Sequence, residues 1–518
     1  MLVVLASLAN AGTISGTVKG PDQAPVAGVF VQAQNAQTKM MVSVLSDRQG
    51  HYRVPNLPAG DYEVWARATG LKGDAPSRAS VAADQTLAMD FAVAKAPVAW
   101  SELSLYQGGV LLPEGKGKKA LFTKCFACHG FETRMAANAP HDETQWRALV
   151  DYMVQSMHFF LATVGQFNDQ DETDVVQYLT DLFGPNSKLP DPTTLPKYAD
   201  VKLGPFGDEA MKIVYVEYDM PGPNRMPWSA FPDKDGHYWI PYYGDANAIG
   251  RLDPKTGEVK EFKAPNIGTA AIHSAVPAQD GSVWFTEQGS NKIGRWDPGT
   301  QKITEFQDAY LPGKENTLGG GSKHTLRVAP NGDVWSTGGP LSRYNNETGK
   351  FTPVPEVPSA YGIALASDAT VWFAEFTPQG EIGKIDPQTL HVTKWQVPTA
   401  KAFPRRIQID SDGTVWFCEF VAGKLGHFDP KTERFTEYDL PGPEASPYAL
   451  GIDRDHRIWF SSEHMDYVGR LDPATGKVTQ YPVPQSENSM REFYLDDQGR
   501  MWFGSPSNNK VGYFYLAE

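Results

Sequence analysis

Val283-Trp284-Phe285-Thr286-Glu287, followed after five residues by Ile293-Gly294-Arg295-Trp296-Asp297-Pro298, recurs in variant form through the last three-fifths of this 518-residue chain. The tryptophans of the Val-Trp-Phe-like strands are Trp239, Trp284, Trp335, Trp372, Trp416, Trp459 and Trp502, separated by 45, 51, 37, 44, 43 and 43 residues. Turns of the Ile-Gly-Arg-x-Asp-Pro kind follow at Ile249–Pro254, Ile293–Pro298, Ile382–Pro387, Leu425–Pro430 and Val468–Pro473. A period of about 40–45 residues holding four short strands marks a propeller blade. Seven tryptophans predict a seven-bladed β-propeller over residues 213–518, with the Trp335 repeat irregular at Leu341-Ser342-Arg343-Tyr344. The last repeat ends at Val511-Gly512-Tyr513-Phe514-Tyr515 without an outer strand. Val214–Met220 carries that strand's pattern ahead of the first blade, so it is expected to close the ring and remove an exposed edge.

The repeated Gly-x-Val-Trp-Phe-x-Glu, Ile-Gly-Arg-x-Asp-Pro and Thr-Glu-Tyr-x-Leu-Pro blocks resemble the virginiamycin B lyase (streptogramin lyase) family. The resemblance implies that the position eleven residues before each blade tryptophan lines one mouth of the central channel. It also implies catalytic histidines from two adjacent blades, aided by glutamates and magnesium, in a ring-opening elimination. Counting back gives Trp228, His273, His324, Tyr361, Arg405, Tyr448 and Arg491, a polar, aromatic and basic set suited to a ligand site. His273 and His324 fall in adjacent blades, and Glu287, Glu375, Glu419 and Glu463 follow their tryptophans closely enough to join them. The departures are Ser322 where the family has an acid two residues before its second histidine, and Ser336-Thr337-Gly338-Gly339 where it has a glutamate after Trp335. The blades nearest the C-terminus, which carry the histidines in the lyase, hold Arg405, Tyr448 and Arg491.

Cys125-Phe126-Ala127-Cys128-His129 is a CxxCH motif, the attachment signature of c-type haem. Its spacing puts two thiols on one side of a helical turn, to bond the vinyl groups, and leaves His129 as the proximal iron ligand. No second cysteine pair follows to complete a zinc site. Trp146, Leu149, Val150, Met153 and Met157 recur at helical spacing, and a second helix is capped by Asn168 and stopped at Gly184. The segment resembles mono-haem class I cytochromes whose third helix reads Trp-x-x-Val-Val-x-x-Met, which implies Met153 as the distal ligand. Met157, His141, His158, Met135 or an open site are the alternatives. The domain so defined, residues 105–184, is all-α with one covalent haem, and proline-rich residues 185–212 read as a linker.

Residues 12–97 alternate apolar and polar positions, as in Tyr62-Glu63-Val64-Trp65-Ala66, and read as a small β-sandwich. Ser46-Asp47-Arg48-Gln49-Gly50-His51-Tyr52-Arg53-Val54 and Leu57-Pro58-Ala59-Gly60-Asp61-Tyr62 resemble the carboxypeptidase regulatory-like family, which implies a transthyretin-like support module. Before it, the apolar run Leu2–Leu8 and Ala9-Asn10-Ala11 make residues 1–11 a signal peptide, shortened of its basic start. Export, and so a periplasmic location, agrees with haem attachment. The chain is therefore read as multidomain and mainly β: sandwich, cytochrome, propeller.

Composition agrees with that reading and narrows the partners. With 48 glycines, 40 prolines and 12% aromatics the chain favours short strands and tight turns. A net charge of −14 argues against nucleic acid and anionic lipid, and no segment reaches a membrane-spanning length. The third cysteine, Cys418, sits directly after a Trp-Phe pair and reads as a buried thiol. The function expected is electron transfer between the haem and a periplasmic donor or acceptor, coupled to binding or oxidation of a small-molecule substrate at the propeller face. The alternatives are a magnesium-dependent carbon–oxygen lyase opening a cyclic ester through His273, His324 and Glu287, and a binding protein without catalysis.

Overall fold

The structure, a computed structural model, describes residues 11–125, 133–164, 167–204, 206–265, 271–308 and 323–517, with backbone alone at residues 123, 125, 133–135 and 155–164. The expected leader, Cys128, His129 and Ser322 lie outside the described residues, as do the side chains of Cys125, Met135, Met157 and His158.

Nine strands between Gly12 and Lys95 form the N-terminal sandwich. Strand Phe30–Asn35 pairs antiparallel with Met41–Leu45 on one side and Gly60–Ala68 on the other. Alternation does the work here: Tyr62, Val64 and Ala66 point inward onto Val31, Ala33, Val42 and Val54 while their neighbours stay wetter.

Among the described residues five α-helices follow: α1 (Leu105–Leu111), α2 (Lys116–Ala120), α3 (Thr133–Asn138), α4 (Glu143–Val164) and α5 (Asp169–Phe183). The Asn168 side chain caps α5 by accepting from the N–H groups of Gln170 and Asp171 at 3.0 and 2.9 Å, as the sequence predicts. Helix α2 crosses α5 closely at Gly117, where a Cβ would lie 2.2 Å from the Asp174 carbonyl. On α4, Trp146 and Val150 are buried, but Leu149 is 42% exposed and does not belong to the apolar stripe. The proline-rich stretch is not a free spacer. Val201 is buried in the helical core, Leu189, Leu195 and Tyr198 pack on it, and the Pro190 carbonyl accepts from Trp100 Nε1 at 2.8 Å. Its apolar side chains outweigh the extending tendency of its prolines.

Beyond residue 213 the chain forms six four-stranded antiparallel sheets, each with one of the tryptophans from Trp239 to Trp459 on its second strand. The three C-terminal strands, Phe493–Leu495, Met501–Ser505 and Lys510–Leu516, gain Ile213–Asp219 as their fourth, in register from Ile213 opposite Leu516 to Asp219 opposite Lys510. That strand is not an edge. Its other side pairs with Met41–Leu45, Tyr215 opposite Ser43, so sandwich and propeller share one continuous sheet.

Strand register explains the repeated motif. The phenylalanine of Val-Trp-Phe stands opposite the glycine of Ile-Gly-Arg, as in Phe285 with Gly294, Phe417 with Gly426 and Phe460 with Gly469. The ring lies across the bare glycine, because a Cβ on any of these three would fall 2.1 Å from the ring. The tryptophan stands opposite the arginine, whose guanidinium lies over the indole at 5.7 Å in Arg251 with Trp239 and 5.4 Å in Arg470 with Trp459. The indole N–H of Trp239, Trp459 and Trp502 donates to the turn aspartate six residues earlier, Asp233, Asp453 and Asp496.

Candidate functional site

The seven residues found by counting back from the tryptophans meet. Trp228 and His273 have ring centroids 5.1 Å apart, His273 and His324 3.6 Å, and His324 and Tyr361 4.3 Å. The Arg405 guanidinium lies 4.5 Å from the Tyr361 ring and 3.7 Å from that of Tyr448. Arg491 is 4.6 Å from Tyr448 and 5.1 Å from Trp228, which closes the circuit. All are buried except His324, which is half-buried.

β-Bulges help to place them. In the innermost strands of three adjacent sheets the register slips between Ala360 and Gly362, Pro404 and Ile407, and Pro447 and Leu450. Tyr361, Arg405 and Tyr448 are bulged residues, and a bulge re-aims a side chain out of the ordinary alternation.

The ring is internally bonded on its tyrosine–arginine side. Arg405 Nη2 donates to the Tyr361 hydroxyl at 2.9 Å, and the hydroxyls of Tyr361 and Tyr448 share a short hydrogen bond. Burial pushes the Tyr448 phenol up, but Arg405, Arg491 and Arg406 outweigh it and hold it below the ordinary phenol range. Burial holds both histidines well below the ordinary imidazole range, helped by His324 and the arginines at His273 and by Arg406 and Arg405 at His324. Neither nitrogen of His273 has a hydrogen-bond partner among the described residues. Neutral imidazoles can accept a proton, which is the property a general base needs.

Of the glutamates expected to join the histidines, only Glu463 touches the ring, paired with Arg491 at 2.9 Å. Glu287 accepts from the Ser290 hydroxyl and lies beside Glu305; burial and that second carboxylate push it up to about 7. Glu375 pairs with Lys394 at 2.6 Å, and Glu419 lies beside Glu437. These carboxyls belong to the interiors of their own sheets. His464 bonds Ser446 through Nδ1 at 3.1 Å. Cys418 is fully buried, as expected, with its thiol facing the Tyr448 carbonyl at 3.4 Å.

Four ring neighbours escaped the sequence reading. Tyr243, Phe376 and Phe420, each four residues after a blade tryptophan, lie against Trp228, Tyr361 and Tyr448 respectively. The same counting rule run forward would have found them. Arg406 donates to the Arg491 carbonyl at 3.0 Å and to Thr325 Oγ1 at 2.9 Å. It is reached only because the bulge turns two successive residues toward the ring.

The helical region sits on the same rim. The Tyr106 N–H donates to the His464 carbonyl at 2.8 Å, and Ser486 Oγ donates to the Ser101 carbonyl at 2.9 Å. Tyr106 packs with Trp416, Leu440 and Met465. Burial pushes the Tyr243 phenol up, and Tyr152 of α4 is the first of the neighbouring groups that add to it.

Magnesium prefers hard oxygen ligands. The two imidazoles lie among guanidiniums, the Glu463 carboxylate is paired with Arg491, and among the described residues no group of three or more His, Cys, Asp or Glu could hold a metal. The ring does not fit that ion. Among the described residues no helix is long and apolar enough to cross a membrane.

Residues 350–517 match the virginiamycin B lyase family and residues 13–94 the carboxypeptidase regulatory-like domain. No curated protein matches the chain. Among solved structures, a streptogramin B lyase is 27% identical with a TM-score of 0.53, covering 60% of this chain and all of its own. The virginiamycin B lyase of Staphylococcus aureus is 26% identical with a TM-score of 0.52, covering 59% and 100%. A catalytically inactive variant of that enzyme, crystallised with quinupristin, matches equally well. The chain thus joins a carboxypeptidase regulatory-like sandwich to a virginiamycin B lyase-like β-propeller.

Proposed function

We propose that this chain is an exported mono-haem c-type cytochrome whose seven-bladed propeller binds a small molecule at the Trp228–Arg491 ring, and that it transfers electrons between that site and a periplasmic partner. Cys125 and Cys128 would hold the haem, with His129 and Met153 as its iron ligands. The group supplies one-electron chemistry when bound. Met153 suits the role: it is half-buried on α4, on the face of buried Trp146 and Val150, and its thioether is not sealed in the core. The observation that carries the reading is the seat of the helical region on the ring's rim. Tyr152, next in sequence to Met153, acts electrostatically on the Tyr243 phenol; Tyr243 is 4.4 Å from Trp228, and Trp228 leads to His273, His324 and Tyr361. These aromatic side chains would carry electrons from the ring toward α4, the helix of the proposed distal ligand.

The test is anaerobic mixing of the ferric protein with a panel of small phenols and aromatic carboxylates, followed by haem absorbance. Reduction by at least one compound, slowed by Trp228→Leu, is expected. No reduction by any of them would overturn the reading.

The contact of His273 with His324 favours one other reading, a lyase with an imidazole as general base. Opening of a streptogramin-type ester by the wild type, lost in His273→Ala, would establish it; no turnover would remove it.

A further inference from the structure

The ring holds more buried positive charge than its own residues cancel. Arg405, Arg406 and Arg491 meet there, and Arg327 lies behind them. Against four guanidiniums stand two carboxylates: Glu463 on Arg491 at 2.9 Å and Glu492 on Arg327. Glu492 also faces Arg406, whereas Arg405 has no carboxylate partner among the described residues; the two arginines are 4% and 3% exposed. Burying a charge without a counter-charge is strongly unfavourable, because the ion loses its hydration and gains nothing in return.

On the Arg405–Trp228 side the unpartnered atoms are donors, while Glu463 Oε2 and Glu492 Oε2, on the carboxylates of the paired arginines, are unpartnered acceptors. Arg405 Nε and Nη1, Arg406 Nη2 and Trp228 Nε1 are buried without a hydrogen-bond partner among the described residues. Among the described residues His273 lacks a partner on both nitrogens while 1% exposed, and a neutral imidazole brings one donor and one acceptor. Buried polar groups are normally satisfied, so this concentration around one circuit points to a missing acceptor-rich molecule. The apolar surface around the donors is aromatic: Trp228, Tyr243, Phe403 and Phe420.

We infer that the ring binds an aromatic carboxylate, its carboxylate held by Arg405 and Arg406 with His273 and Trp228 as further donors, and its ring against the aromatic wall. The inference rests on the ring being the ligand site of the function proposed above, and it names the class of ligand. A guanidinium–carboxylate pair is shorter and stronger than a neutral hydrogen bond and supplies the absent counter-charge. Discrimination should follow from the same deficit. A neutral isostere leaves the charge uncancelled, and an inorganic anion leaves the aromatic wall unfilled.

The test is calorimetric titration of the full chain with benzoate, benzyl alcohol and inorganic phosphate. Benzoate is expected to bind one per chain and at least about tenfold more tightly than either comparator. Arg406→Gln should weaken it by at least about tenfold, whereas Arg78→Gln on the exposed sandwich surface leaves it unchanged. Arg405→Met should abolish binding, and Arg406→Gln, which keeps the aromatic cage around Arg405, decides the question if that variant does not fold. Absence of benzoate binding to the wild type would overturn the inference. So would equal binding of benzyl alcohol or phosphate. A tyrosinate absorption at neutral pH that disappears in Tyr448→Phe would also overturn it, since the counter-charge would then be internal. Heat of binding is read without haem reduction. A chain that binds benzoate while no compound reduces its haem keeps the anion site and loses the electron-transfer reading; the reverse outcome does the opposite.

Discussion

Gly362 follows ring residue Tyr361 at a bulge, and its bare Cα lets the innermost strand of one sheet press on the next. A Cβ there would stand 2.4 Å from the Arg405 carbonyl oxygen, 3.0 Å from Arg406 Cα and 3.2 Å from Ile407 N. Those atoms are backbone, so no rotamer change relieves the clash. Ordinary contact begins near 3.4 Å, so the strands must part by about 1 Å in Gly362→Ala. That movement takes the 2.9 Å bond between Arg405 and Tyr361 beyond hydrogen-bonding range. Overpacking costs about 1–3 kcal/mol, and losing a hydrogen bond to a charged group about 1.5–3 kcal/mol more. At about 2–4 °C per kcal/mol, Tm should fall by at least about 4 °C in scanning calorimetry, and benzoate affinity should fall with it. Gly207→Ala is the control, with nothing within 4 Å of its added Cβ and an ordinary φ of −76°. If Gly362→Ala melts within about 1 °C of the wild type with its ligand affinity intact, close strand approach does not build the ring.

Burial, then Glu437, pushes the Glu419 carboxyl up to about 8 from 4.5. The folded chain therefore holds a proton that the unfolded chain has released, and the associated stability is complete below about 4.5 and lost as pH rises to about 8. The Tm of Glu419→Gln should thus gain on the wild type as pH rises from about 5 to about 9, and a constant difference would count against the buried pair. Burial also pushes the Cys418 thiol well up, so a thiol reagent should leave the native chain unmodified and titrate one thiol on unfolding. Three thiols on unfolding would contradict thioether attachment at Cys125 and Cys128. Gly426→Ala places a Cβ 2.1 Å from the Phe417 ring and should destabilise by about 1–3 kcal/mol, with Phe417→Leu restoring part of the loss. A fully additive double mutant would remove the ring-over-glycine account.

The sheets and the ring were legible because a propeller repeats its chemistry. One tryptophan per sheet fixes a frame, and counting from it finds Trp228 and Arg491 although they are 263 residues apart in sequence. What was not legible depended on partners far away or on local irregularity. Glu287, Glu375 and Glu419 follow their tryptophans by three residues and meet Glu305, Lys394 and Glu437 on outer strands, whereas Glu463 follows Trp459 by four, as Tyr243, Phe376 and Phe420 follow theirs, and has Arg491 beside it. Arg406 enters through a bulge that no alternation pattern announces. The role of Val214–Met220 was readable, but its second partner was not, because Ser43 lies some 170 residues away in another domain. Leu149 misled because helical spacing alone does not say how wide the covered face is.

The most direct test of the central claim is the intact mass of the exported, denatured chain together with its colour after acid–acetone extraction. The account predicts the mature chain plus one haem, the colour staying with the protein, and loss of that attachment when both Cys125 and Cys128 are replaced by alanine. A mass equal to the bare chain, or haem that extracts into the solvent, would contradict it.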